Sequence, residues 1–320
     1  PGIELPAALG TNVPPTNNTD MKTYGWELQI GWRDQIGDFK YGAKLSLSDS
    51  QSKILRYGNP TGSLSKYVEG ELIGNIYGYT TIGIAKTDEE MQQHLASLPN
   101  GGQSALGSQW AAGDIMYADL NGDGKINNGS YTINDMGDMK KIGNSTPRFM
   151  TGINLDAAYK GWDLQMFWQG VLKRDWWPGD KNMTFWGVTD GEWWSTSFKE
   201  HLDYFRTSEN PLGENLNSYY PRPIFNTKNN KSQTRYLQNA AYMRLKNIQV
   251  GYTFPKVWIN KLMLQNLRIF VSGENLLTIT SLSDTMDPET CGAGYQSTEQ
   301  ANGTVYPLAK TISFGLSVNF

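Results

Sequence analysis

Thr311-Ile312-Ser313-Phe314-Gly315-Leu316-Ser317-Val318-Asn319-Phe320 alternates without a break between apolar residues and small or polar ones. A β-strand turns successive side chains to opposite faces. Ile312, Phe314, Leu316, Val318 and Phe320 therefore share one face and the polar set shares the other. About ten residues tilted by roughly 45° carry a strand across a bilayer. An amphipathic strand of a soluble sandwich would read the same way, so the remainder of the chain decides between the two.

Six further segments repeat the pattern. Tyr24, Trp26, Leu28, Ile30 and Trp32 alternate with Gly25, Glu27, Gln29 and Gly31, and Phe39, Tyr41, Ala43, Leu45 and Leu47 alternate with Lys40, Gly42, Lys44, Ser46 and Ser48. The same holds around Ile153, Leu155, Ala157 and Tyr159, around Trp162, Leu164, Met166 and Trp168, and around Ile248, Val250, Tyr252 and Phe254. The segment containing Leu267, Ile269 and Val271 is noisier, because Phe270 falls on its polar face. The pattern predicts strands near 23–33, 38–49, 147–159, 162–172, 243–254, 266–277 and 309–320.

The connections are short and long in strict turn, the long ones covering 50–146, 173–242 and 278–308. Transmembrane barrels join strands by tight periplasmic turns and long extracellular loops, a rule that sandwiches do not follow. With the last strand ending in the periplasm, Trp32, Phe39, Tyr159, Trp162, Phe254 and Phe320 gather at the short-turn end as one girdle of an aromatic belt. The fold class expected is all-β: about seven C-terminal strands of a large antiparallel transmembrane β-barrel. Seven is odd, and an open sheet with two bare edges is not viable in lipid. The chain therefore reads as the end of a longer barrel whose N-terminal part lies outside it.

Composition agrees with this reading. Of 320 residues, 38% are hydrophobic and mean hydropathy is −0.51, but strands that alternate lipid-facing and lumen-facing residues dilute that signal. No apolar run is long enough for a transmembrane helix. A net charge of −3 leaves no footprint for nucleic acid, and a single cysteine, Cys291, permits no intrachain disulfide framework. The start, Pro1-Gly2-Ile3-Glu4, shows neither the charged nor the apolar region of a signal peptide, as expected for the tail of an exported protein.

The sharpest local motif is Asp119-Leu120-Asn121-Gly122-Asp123-Gly124-Lys125-Ile126. Oxygen side chains at alternate positions, a glycine at the sixth and a backbone carbonyl at the seventh suit a hard cation such as Ca²⁺. Asp119, Asn121, Asp123 and the Lys125 carbonyl are the expected ligands. The twelfth position is Ser130, so Asp135 or Asp138 must return as the late carboxylate. A plain Asn/Asp/Gly turn is the alternative.

Catalytic constellations are otherwise missing. His94 belongs to a short helix begun by a Thr87/Glu90 capping box and is expected at the surface, and His201 sits in a charged stretch with no serine placed beside it. Aromatics crowd the second long loop: Trp176, Trp177, Phe185, Trp186, Trp193, Trp194, Tyr204, Phe205, Tyr219 and Tyr220. Exposed rings of this kind stack on sugars or anchor partners, and a loop this long also needs rings for a core of its own. Both readings stay open. The tryptophans Trp176, Trp177, Trp186, Trp193 and Trp194, with lumen-facing Arg268, Glu274 and Gln249, are the candidate contacts to substrate or partner.

Longer motifs resemble the C-terminal part of the SusC/RagA family of TonB-dependent outer-membrane transporters. They are Gly113-Asp114-Ile115-Met116-Tyr117-Ala118-Asp119-Leu120-Asn121-Gly122-Asp123-Gly124, Gly137-Asp138-Met139-Lys140-Lys141-Ile142-Gly143-Asn144, Gly161-Trp162-Asp163-Leu164, Phe167-Trp168-Gln169-Gly170, Tyr242-Met243-Arg244-Leu245-Lys246-Asn247-Ile248, and Ser272-Gly273-Glu274-Asn275-Leu276-Leu277-Thr278. The resemblance implies a 22-stranded barrel with an N-terminal plug, energised by TonB and capped by a SusD-like surface lipoprotein. Such a transporter imports oligosaccharides, sometimes peptides, across the cell outer membrane. It also implies Asp138 rather than Asp135 as the late carboxylate, and no enzymatic activity. An outer-membrane barrel with an enzymatic or adhesive surface role is the alternative.

Overall fold

The computed structural model describes residues 17–191, 195–291 and 308–320. Seven long strands form one antiparallel sheet in chain order. They are β1 (Asp20–Ile36), β2 (Phe39–Arg56), β3 (Arg148–Tyr159), β4 (Trp162–Lys173), β5 (Tyr242–Thr253), β6 (Asn266–Thr280) and β7 (Thr311–Asn319). β2 runs on past position 49 to Arg56 because β1 pairs with it as far as Asp20 opposite Arg56, and on its other side Ile54 and Ser52 exchange backbone hydrogen bonds with the segment 70–73 after β3 has left the ladder.

Direct cross-strand partners share a face. One row of partners runs Ile30, Leu45, Ile153, Trp168, Leu245 and Leu277, and the row at the turn end runs Ile36, Phe39, Tyr159, Trp162, Tyr252, Ile269 and Leu316. The alternate rows are polar apart from Phe167, as in Gly31, Lys44, Asn154, Phe167, Asn247, Glu274 and Thr311. One side of the sheet is thus predominantly apolar, with Asp49 and Thr151 entering it toward the long-loop end, and the other is predominantly polar. The aromatic girdle is physical: Phe39 meets Tyr159 edge-on at 6.4 Å, and Trp162 meets Tyr252 at 4.9 Å.

The simple alternation of β5 does not survive its whole length. A bulge at Lys246 shifts the register between Leu245 and Asn247 on both sides of the strand. Beyond it Met243 and Leu245 join the apolar face and Arg244 turns to the polar one. Without the extra residue, a charged arginine would sit among the apolar rows.

The hairpin turns explain the tight end. Ile36 pairs with Phe39 around Gly37-Asp38, with Gly37 at φ +59°; Tyr159 pairs with Trp162 around Lys160-Gly161, at φ +45° and +89°. These are primed turns, whose twist matches that of the strands.

At the other end the long connections fold together rather than separately. Ile115, Tyr117 and Ile126 of the first, Phe185, Trp186, Tyr220 and Tyr236 of the second, and Leu282, Met286 and Cys291 of the third belong to one buried core. Helix Asp88–Ala96 forms where its capping residues place it, with Thr87 Oγ1 accepting from the Glu90 N–H at 3.2 Å and Met91 buried beneath. His94 is half-buried rather than at the surface, because Gln103 Oε1 holds its Nε2 at 3.1 Å.

Candidate functional site

The loop from Asp119 to Ile126 closes on itself. Asp119 accepts from the N–H groups of Gly122 and Gly124 at 2.7 and 2.9 Å, and Asn121 Oδ1 accepts from Asp123 N–H at 2.9 Å. Gly122 and Gly124 sit at φ +75° and +78°, where a side chain would be strained. Asp138, immediately before the strand Met139–Asn144, takes the N–H groups of Leu120 and Asn127 at 2.9 and 2.8 Å. Carboxylate oxygens of Asp119, Asp123 and Asp138 lie within 4.8 Å of one another. Asp135 is elsewhere, capping Ser130 through its N–H at 2.8 Å and its hydroxyl at 2.6 Å. Burial pushes the Asp138 carboxyl above its ordinary value, and the neighbouring Asp119 charge adds to this. Three converging carboxylates, one of them buried, form an oxygen donor set that fits a hard divalent cation.

The aromatic cluster of the second connection is a core. Trp176 is 2% exposed and Trp186 is 0% exposed, so neither can stack on a substrate. Around Trp186 stand Phe185 and Tyr236, each at 4.8 Å, with Trp177 at 6.1 Å. Trp177 packs against this core from a partly buried position. The reading of Trp176 and Trp186 as contact residues is corrected by this burial. Trp193 and Trp194 lie outside the described residues.

His201 supports the same core. Its Nδ1 accepts from Phe198 N–H at 2.8 Å and its Nε2 lies 3.1 Å from the Phe185 carbonyl, which uses both ring nitrogens on backbone and leaves none for a nucleophile. Burial holds its pKa below the ordinary histidine value. Such a group takes up its proton in the unfolded chain first, so its contribution to stability is lost as pH falls below about 6.5. Acidification from neutral pH should lower the protection of backbone amides near Phe185 and His201, measured relative to the intrinsic exchange rate at each pH, and His201→Gln should flatten that pH dependence.

The polar face of the sheet carries ion pairs that skip a strand. Arg268 of β6 reaches Asp163 of β4 with Nε at 3.0 Å, lying across Gly251 of β5, where a Cβ would come within 2.3 Å of the guanidinium. Arg33 of β1 reaches Asp156 of β3 at 3.3 Å, and the Asp156 carboxylate lies over Gly42 of β2 in the same way. The Phe270 ring covers Gly315 of β7, which is why an aromatic is tolerated on the polar face. Arg268 is therefore already engaged by Asp163 and Gln249, whereas Glu274 is exposed.

Two features carried no local sequence signal. Asp114, fully buried, takes Arg222 Nε at 2.8 Å, Lys228 Nζ at 2.8 Å and Asn229 Nδ2 at 2.9 Å, and so ties the first connection to the second. Near the same end, Arg244 on the polar face pairs with Asp287 at 2.8 Å and Glu289 at 3.0 Å of the third connection. Pairings more than a hundred residues apart, as in the first case, are invisible to any motif.

No protein-family model matches the chain. It is 27% identical over 338 residues to TonB-dependent receptor P3 of Formosa agariphila, an alignment covering 99% of this chain and 30% of that protein. TonB-dependent receptor P39 of the same organism is 23% identical, with 99% of this chain and 32% of that protein covered. Among solved structures, the RagAB peptide transporter superposes with a TM-score of 0.64 at 19% identity, over 100% of this chain and 32% of that one. The RagAB peptide importer in its closed-closed state gives 0.63 at 18% identity, over 99% and 31%. The chain spans about a third of the length of the proteins it matches, and relatives named TonB-dependent receptors cover it from end to end, as its motifs implied.

Proposed function

We propose that the chain forms the C-terminal wall and the extracellular cap of a TonB-dependent importer of the Gram-negative outer membrane. The observation that carries this is the sheet itself: consecutive antiparallel strands, apolar on one side and polar on the other, with tight turns at one end and fused long loops at the other. Sheet edges at β1 and β7 need further strands in lipid, and the N-terminal remainder of the same barrel would supply them. That remainder would also carry the plug and the coupling to TonB. The relatives bear the names of receptors and transporters, and the engagement of both His201 nitrogens argues against a hydrolase.

The cargo is an oligosaccharide or a peptide, delivered with a SusD-like lipoprotein on the cap. The family motifs support the glycan, and the printed name of the RagAB neighbour supports the peptide. Glu274 and Arg268 on the polar face, the partly buried Trp177 and the pair Trp193, Trp194 remain the residues proposed to meet cargo or lipoprotein. Uptake of labelled glycans and peptides by cells carrying the full-length transporter, with and without functional TonB, tests the reading. Uptake of neither class, or uptake indifferent to TonB, would sink it. Trp193→Ala with Trp194→Ala should weaken uptake roughly tenfold or more, each anchor contributing about 1–2 kcal/mol.

The carboxylate cluster is proposed to hold a structural Ca²⁺ through Asp119, Asn121, Asp123, the Lys125 carbonyl and Asp138, with ligand distances of about 2.3–2.6 Å. The ion would supply charge compensation for converging carboxylates and fix the first loop. At a hundredfold excess over its dissociation constant, Ca²⁺ should stabilise the cap by about 2.7 kcal/mol. Thermal melting of the full-length protein with Ca²⁺ or with chelator reads this. Asp123→Ala should abolish the difference while leaving the sheet intact, and equal melting in both conditions would return the loop to a plain turn.

A further inference from the structure

The connection between β5 and β6 differs from the other short turns. It holds a helical turn, Lys256–Ile259, followed by a 3-10 turn, Asn260–Leu262. Ile259 is buried against the end of the sheet, while Val257, Trp258 and Met263 are 78%, 61% and 87% exposed. Between Phe254 and Asn266 the sequence contains two lysines, Lys256 and Lys261, and no acidic residue. Trp258 continues the apolar side of the sheet through a chain of tilted and edge-on ring contacts: Trp162 to Tyr252 at 4.9 Å, Tyr252 to Phe254 at 5.1 Å, Phe254 to Trp258 at 6.3 Å. The turn is tied in place by Phe254 N–H donating to the Leu267 carbonyl at 2.9 Å and Gln265 N–H to the Asn319 carbonyl at 2.8 Å.

We infer that this turn is a membrane-interface anchor that binds the anionic headgroups of the inner leaflet of the outer membrane. The inference rests on the reading of the sheet as membrane-spanning. Left in water, Val257, Trp258 and Met263 would hold exposed apolar area against the hydrophobic effect. Laid into the headgroup boundary, the rings and aliphatic chains enter the acyl edge while both lysines meet phosphates, as in interfacial amphipathic helices. A turn whose only task was to reverse the chain could be built from two residues, as the other hairpins here are.

The test uses the full-length transporter with its other cysteines replaced, spin-labelled at Met263→Cys or at Phe314→Cys on β7. Both proteins are placed in nanodiscs of phosphatidylcholine and phosphatidylglycerol. The Phe314 label reports the sheet, and should be relaxed by oxygen rather than by a water-soluble nickel chelate. The Met263 label should behave likewise, at shallower depth. Both labels in water would overturn the membrane reading itself. Phe314 in lipid with Met263 in water, or with Met263 shielded from both relaxants by a plug or another protein, overturns the anchor alone. In native mass spectrometry, Lys256→Glu with Lys261→Glu should lower retention of phosphatidylglycerol relative to phosphatidylcholine roughly fivefold or more. Unchanged retention would overturn the assignment to anionic headgroups.

Discussion

Asp114→Ala is expected to loosen the cap by about 3–5 kcal/mol, the cost of breaking a buried ion pair by removing one partner. Asp114 is fully buried and Lys228 nearly so, with the Lys228 ammonium also 4.5 Å above the Trp110 ring. Removing the carboxylate leaves Lys228 without its counter-charge, strands the Asn229 amide and leaves Arg222 only its bond to the Gln109 carbonyl. Burial alone would raise the Asp114 pKa, but hydrogen bonds from Arg222, Asn229 and Lys228 outweigh it and hold the group below the ordinary carboxylate value. Its contribution is therefore complete above the unfolded value near 4 and is lost only as pH falls through the lower folded value. Hydrogen exchange in the full-length protein should rise in 111–117 and 222–230 while β1 to β7 keep their protection. Asp114→Asn, which retains the shape and one acceptor, should still lose the charge pairing. Unchanged exchange in both variants would mean that the cluster is incidental to the cap.

Trp186→Ala is expected to cost a similar amount, about 3–5 kcal/mol for a large aromatic removed from a packed core. Phe185, Tyr220, Tyr236 and Trp177 all contact the ring, and its Nε1 donates to the Gly179 carbonyl at 2.8 Å. The truncation removes that packing and leaves an acceptor unpaired. Because the first and third connections share this core, the effect should spread beyond the second. Proteolytic nicking of all the long loops should accelerate, with the sheet resistant. Trp186→Phe should recover most of the loss. Normal resistance to proteolysis with altered cargo uptake would instead restore a recognition role to this ring.

The strands and their faces were legible because alternation is written into neighbouring residues. Ile312, Phe314 and Leu316 can share a face only one way, and Gly37 and Lys160-Gly161 mark their turns locally. Even the noise in β6 was informative: Phe270 does face inward, and the partner that makes room for it is Gly315, on a strand read independently. The turn at 119–125 was legible for the same reason, since its oxygen-bearing residues are contiguous. The choice of Asp138 over Asp135 came from the family resemblance, and the geometry agrees with it.

The fate of the loop aromatics could not be read this way. Trp176 and Trp186 look the same in sequence whether they stack on cargo or on one another. Burial depends on Tyr220, Tyr236 and Leu282, residues tens of positions away that only a folded cap brings together. The flip of Arg244 depends on one extra residue at Lys246, a register choice shared with both neighbouring strands. Sequence alone determined the strands, the apolar side, the tight end and the turn through Asp119, Asn121 and Asp123, because each is a periodic or contiguous pattern enforced by backbone geometry. Tertiary structure alone decided which polar and aromatic side chains are spent on holding the cap together, because desolvation and charge pairing act between residues that the chain keeps far apart until it folds.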